Sequence, residues 1–245
     1  MNKFRHGFAR YTQAILDGTA RFLDSEGLRH PTSEMVTICA NHLFNLPGPR
    51  SISSGNASLS EIYYGFTEIS ESYDRLKDFI VYIKRFPYSG TRVSPFRHLG
   101  YTISNYYDET YILQQRLLTY LERIRKHVLR RPAETAVSQY FEKLKQVVLK
   151  LMRGVVQLRG SHVHKSRFSD DDLRRLQTLE LLIRHGKMRH FSSFYRFELD
   201  RTRTKWSETT QRNNGKAIEL LDVYFGFLYP FVFGPRLSLF GSSWN

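Results

Sequence analysis

Apolar residues return every three or four positions along most of this chain, and that period predicts helices. Phe8, Tyr11, Ile15, Leu16 and Phe22 hold it from about residue 7 to 24. A shorter helix is predicted from Pro31 through Met35, Ile38 and Leu43, ended by Asn45-Leu46-Pro47-Gly48-Pro49 and a polar loop. Ser58-Leu59-Ser60-Glu61 has the form of a capping box, in which Ser58 accepts from the third helical amide and Glu61 reaches back. Ile62, Phe66, Ile69, Tyr73, Leu76, Ile80 and Ile83 then keep one face apolar. A loop holding Pro95 and Gly100 is predicted from there to about Asn105.

The second half continues in the same period. Tyr107, Tyr111, Leu118, Leu121, Ile124 and Val128 predict a helix that Pro132 breaks. Val137, Tyr140, Phe141, Leu144, Val147, Val148, Leu151 and Val155 predict another, ending near Arg159-Gly160. Ser169-Asp170-Asp171-Asp172 opens the next, with Phe168 and Leu173 placed for a hydrophobic staple and acids at the positive helix end. It runs through Leu173, Leu176, Leu179 and Leu182 to Gly186. A mixed basic and aromatic segment follows to about Trp206, and a last helix starts at Ser207 and passes Ile218, Leu221, Tyr224 and Leu228. No stretch alternates with period two for long, and there is no internal repeat or low-complexity tract. The expected fold is all-α, an up-and-down helical bundle with extra N-terminal helices, because short turns at Pro132 and Gly160 make neighbouring long helices antiparallel. Residues 1–57 read as an N-terminal helical extension. Residues 58–245 read as the bundle, with a basic aromatic insertion at about 186–206.

Charge changes the picture more than composition does. The 245 residues hold 37 Lys and Arg against 23 Asp and Glu, a formal net charge of +14. That excess favours a polyanionic partner. The cations gather at Arg123, Arg125, Lys126, His127, Arg130 and Arg131, and again at Arg184, Lys187, Arg189, His190, Arg196, Arg201, Arg203 and Lys205. The second group is interleaved with Phe191, Phe194, Tyr195 and Phe197. Aromatics among cations suit base stacking beside phosphate binding, as well as an interface, a core or a solvated helix face. Cys39 stands alone, so an intrachain disulfide is excluded and Cys39 reads as a small buried hydrophobe. Met1–His6 lacks a secretory hydrophobic region and no apolar run is long enough to span a bilayer, so a cytoplasmic protein without a membrane partner is expected. The very apolar stretch Tyr224–Phe233 reads as the end of a core helix or as an oligomer contact.

The densest chemistry lies in Arg159-Gly160-Ser161-His162-Val163-His164. Histidine exchanges protons near neutral pH, and arginine is shaped to hold a phosphate. RNA carries its own nucleophile in the 2′-hydroxyl, so an arginine on the non-bridging oxygens and a histidine as acid or base can cut it without a metal. Two other readings of the segment stay open. His162 and His164, one residue apart, could share a metal, although no acidic or Cys partner sits at a recognised spacing. Alternatively Arg159 caps a helix C-terminus and the histidines are solvated. Arg92–His98 and Arg184–His190 repeat the pairing with five residues between. The first lies in the Pro/Gly loop, and the second follows a leucine helix. Phosphate-binding glycine loops, dinucleotide fingerprints, zinc ribbons and nucleophile elbows are absent from the sequence.

The arrangement resembles the HEPN superfamily (higher eukaryotes and prokaryotes nucleotide-binding). Its signature is an arginine, four to six residues, then a histidine at a helix end. Arg159 and His164 match with four residues between, after a long helix. The resemblance covers roughly residues 58–230. It departs from the family's pattern at Gly160, where a polar residue is preferred; Ser161 or His162 is placed to supply the polar group. Family members are small dimeric helical bundles, and many are metal-independent ribonucleases in phage-defence, toxin–antitoxin and CRISPR systems. The resemblance therefore implies an endoribonuclease with no cofactor and no metal. Arg159, His164, His162 and Ser161 are its expected catalytic residues, and the clustering of cations with aromatics makes Arg184, Lys187, Arg189, His190, Arg196, Arg201 and Arg203 the expected RNA-binding residues. It also implies a homodimer and an antitoxin or sensor protein as a possible partner. The alternative is an RNA-binding or scaffold subunit of a larger complex that does no chemistry.

Overall fold

The computed structural model describes residues 6–25, 57–87, 93–128, 135–164, 170–186 and 188–234. They are 92% helical, with six α-helices and no strands among them, so the protein is an all-α helical bundle. The helices are α1 (Gly7–Ser25), α2 (Ala57–Lys84), α3 (Pro95–Val128), α4 (Thr135–His164), α5 (Asp171–Arg184) and α6 (Ser192–Val232), with a single 3-10 turn (Arg189–Phe191) before α6. The helix expected at 31–43, Cys39 and the side chain of Ser58 lie outside the described residues.

The chain divides into two compact units, Met1–Ser70 with Gln115–Lys150 and Ile218–Asn245, and Glu71–Gln114 with Leu151–Ala217. In the first, the apolar stripes of five helices meet. Tyr11 and Ile15 of α1, Ile62, Phe66 and Ile69 of α2, Leu117, Tyr120 and Ile124 of α3, Phe141 and Val148 of α4, and Leu221, Tyr224, Phe225 and Leu228 of α6 are all buried. Phe225 is the hub, its ring 4.7 Å from Tyr11, 5.3 Å from Phe8 and 5.4 Å from Phe66. Three tyrosines bury their hydroxyls here and each finds a partner, as burial demands. The Tyr11 and Tyr120 hydroxyls share a 2.6 Å hydrogen bond, and Tyr224 donates to the Leu117 carbonyl at 2.6 Å. Burial pushes the pKa of all three far above the ordinary tyrosine value, so they stay neutral.

Phe225 is fully buried, and Phe227 and Phe231 pack on Phe141 at 6.1 and 5.2 Å, so the apolar stretch from Tyr224 forms the end of a core helix, one of its two expected readings. α1, expected as part of an N-terminal extension, packs into the same core. Its first turn leaves backbone amides without helical acceptors, and Asp222 of α6 accepts one of them, from Phe8, at 3.1 Å. Gly7 permits that approach, because a Cβ there would stand 2.1 Å from the Asp222 carbonyl oxygen.

In the second unit Leu76, Ile83, Leu99, Ile103, Tyr106 and Tyr107 are buried, as are Met152, Leu173, Leu176, Leu179, Leu199 and Trp206. Asn214 accepts from the Tyr106 hydroxyl at 3.1 Å and donates to the Leu76 carbonyl at 2.9 Å, so a buried amide links three helices. The end of a predicted loop and most of the mixed basic and aromatic segment are helix here. α3 starts at Pro95, not near Tyr107: Ser94 Oγ accepts from the Arg97 amide at 3.2 Å, and Pro95 sits at the first helical position, where a missing N–H costs nothing. Leu99 and Ile103 of that first stretch are fully buried. α6 starts at Ser192, not at Ser207, and residues 192–206 of the basic aromatic segment are its first four turns. Leu199, Thr202 and Trp206 carry its buried face.

Candidate functional site

α4 has no break at Arg159-Gly160. It continues through Ser161 and His162 to His164, so the segment expected as a turn is the final part of a 30-residue helix. The side chains of Arg159, Ser161, His162 and His164 lie outside the described residues. Backbone position alone sets one constraint. At 3.6 residues per turn, Arg159 and His164 are about 140° apart around the axis, whereas His162 is about 60° from Arg159. A helix that stays regular to its end thus places His162 next to Arg159's position.

The two rival pairs have other occupations. Arg92 lies outside the described residues. His98 Nε2 stands 3.2 Å from both the Tyr82 and the Arg85 carbonyl oxygens, so it caps the C-terminal end of α2. Arg184 is paired with Glu180 at 2.9 Å one helical turn away, and His190 stacks on Phe191 at 4.4 Å.

The cations expected to bind RNA divide into two sets. Arg201 is held by Glu198 at 2.7 Å and by Asp172 at 3.0 Å. Arg203 is only 17% exposed and reaches Asp200 at 3.7 Å. With Arg184, these are tied to acids one turn away or on α5. Arg189 and Arg196 are exposed and form no ion pair with another described residue. Lys187 lies outside the described residues. Phe194 and Phe197 point to solvent, 46% and 63% exposed, while Tyr195 turns inward. Burial, with the Glu180 carboxylate nearby, pushes the Tyr195 hydroxyl up to about 12.

An ion-pair cluster missed in the sequence joins α5 to α6. Asp170 caps α5, accepting from the Leu173 amide at 2.8 Å, and so performs the helix-start role its position suggested. Asp172 does more, since it accepts from both Lys205 and Arg201. Its carboxyl is held below the usual carboxylate range, chiefly by the Lys205 hydrogen bond, and Lys205 is raised in turn. Arg175 reaches the buried Glu198 at 3.4 Å from the same side. No spacing rule joins Asp172 to Lys205, because they meet only once α5 and α6 have packed.

Among the described residues, no group of His, Cys, Asp and Glu side chains could hold a metal ion, and no helix is long and apolar enough to cross a membrane. No protein-family model matches the chain, and neither a curated protein nor a solved structure does. The class that fold and charge define is a basic, all-α protein.

Proposed function

We propose that the protein is a metal-independent endoribonuclease of a phage-defence or toxin–antitoxin system, with its site at the C-terminal end of α4. The observation that carries the reading is the Arg159–His164 segment, an Arg/His array on the last turns of a long helix in an all-α protein of charge +14. The reaction needs a base to take the proton of a 2′-hydroxyl and a cation on the non-bridging oxygens. It also needs an acid to protonate the leaving 5′-oxygen. The 2′-oxygen bonds to phosphorus as the bond from phosphorus to the 5′-oxygen breaks, leaving a cyclic phosphate and a free 5′-hydroxyl. Arg159 holds the phosphorane and His164 serves as acid or base, with His162 and Ser161 assisting; because Arg159 and His164 lie about 140° apart on a regular helix, His164 acts on the phosphate held by the partner copy's arginine. One such pair supplies one proton-transfer group, so a cytoplasmic homodimer that brings two pairs to one phosphate completes the set.

A second reading is favoured by Gly160, which removes the polar group the family prefers after the arginine. It is a helical RNA-binding or scaffold subunit that does no chemistry. RNA incubated with the protein in excess EDTA separates the two. The nuclease reading expects cutting that survives EDTA and is lost in Arg159→Ala and in His164→Ala. Bound but intact RNA sinks it in favour of the second.

A further inference from the structure

We propose that the exposed face at the 3-10 turn and the start of α6 is a docking surface for single-stranded RNA. Unpaired bases stack on Phe194 and Phe197 while Arg189 and Arg196 meet neighbouring phosphates. The inference deepens the reading of an RNA partner and rests on that reading, but it does not depend on cleavage.

Phe194 and Phe197 are three residues apart on one helix, so they are neighbours on its outer surface. They are 46% and 63% exposed, while the inward face of the same turns is filled by Leu199, Thr202 and Glu198. Their exposure therefore does not come from a loose helix. Two large aromatic rings side by side in water, in a stretch rich in cations, offer a stacking surface that the fold itself does not use. Between Arg184 and Lys205 the chain carries seven Lys and Arg against two acids, and this balance is complementary to a polyanion. Within that stretch the ion pairs leave a specific subset available. Arg201 and Arg203 are engaged, whereas Arg189 and Arg196, which bracket Phe194 in sequence, have no acidic partner among the described residues. His190 is exposed, and its ring lies 4.4 Å from that of Phe191.

The geometry selects single strands over duplexes. Every unpaired base offers a π-face to an aromatic ring, while a duplex hides those faces in its own stack. A duplex would be held by the arginines alone.

The test measures fluorescence anisotropy of a labelled 2′-O-methyl oligouridine with the full chain. This probe lacks the nucleophile, so binding is read without cutting. The expected result is tighter binding of the single strand than of a matched duplex. Phe194→Ala and Phe197→Ala should each weaken it by about tenfold or more, with circular dichroism unchanged. Phe197→Trp should retain binding, and the emission of the introduced indole should be quenched by the oligonucleotide. The proposal is overturned by no binding at all, by binding that ignores both rings, or by indole emission in the Phe197→Trp variant that is indifferent to a bound oligonucleotide. Loss of concentration-dependent sedimentation in the alanine variants, with RNA binding intact, overturns it in favour of a second copy on this face. If natural RNA stays uncut while the ring dependence holds, the nuclease reading fails and this one stands.

Discussion

Gly65 owes its identity to the ring that stands opposite it in the core. A Cβ at that position would lie 2.5 Å from the Tyr120 ring, inside any tolerable contact. The ring has little room to yield, because its hydroxyl is tied to Tyr11 and its face is enclosed by the aromatic core. Gly65→Ala should therefore destabilise the protein by about 1–3 kcal/mol, the usual range for overpacking a filled core, despite the better helix propensity of alanine. Urea unfolding with an unchanged slope and a lowered midpoint is the expected reading. An unchanged midpoint would mean that the Tyr11–Tyr120 pair shifts freely. Nothing in the sequence around Gly65 signals this role. The stripe Ile62, Phe66 and Ile69 is legible as a core face from its period, but the tyrosine opposite comes from fifty-five positions away. The same limit applies to Asp222, whose bond to the Phe8 amide spans 214 positions. Local period reveals which residues go inside, but not which of them meet.

Elements are legible where propensity and pattern agree, and hidden where one strong local signal outweighs a weaker period. Pro95 and Gly100 signal a loop, yet Pro95 only marks the first turn and Gly100 sits in the helix with open space around it. The stretch 192–206 looks irregular in sequence because aromatics and arginines occupy its outer face. Its inner face, with Leu199, Thr202 and Trp206, keeps helical spacing but mixes polar with apolar residues. α4 outruns its predicted end because a glycine at 160 has the character of a stop, and that moves the Arg/His array from a turn onto a helix. The α5–α6 contact provides a test at this scale. Asp172 is depressed by Lys205, so its contribution is present above the ordinary carboxylate value of 3.8 and lost as pH falls through the depressed one. Lys205 is raised by Asp172, so the same contact is present below 10.5 and lost as pH rises through the raised value. Asp172→Asn should lower the thermal midpoint at neutral pH; the gap from wild type should close at the acid extreme and narrow at the alkaline one, where the Arg201 bond to Asp172 persists. A gap independent of pH would assign the effect to packing and not to the ion pair.

For the whole molecule, a charge of +14 predicts affinity for any polyanion, but ion pairing decides which cations deliver that charge to a phosphate. Each phosphate neutralised on a single strand releases counterions and adds about 0.7 to the slope of log affinity against log salt. A free arginine delivers this fully. An arginine already held by a carboxylate must first give up that partner, and the acid left behind repels the strand. The prediction is thus uneven across a set of residues that looks uniform in sequence. Arg189→Ala and Arg196→Ala should each weaken single-strand binding and flatten the salt dependence by about 0.7. Arg184→Ala and Arg201→Ala should change the slope little, since they leave Glu180 or Glu198 and Asp172 in place of a pair. Arg203→Ala should act mainly on stability, because its guanidinium is largely enclosed beside Asp200. Titrations of the oligouridine at several salt concentrations measure all five. Equal slopes for the five variants would show that the ion pairs open freely when RNA arrives, and that net charge, not its local arrangement, governs the encounter.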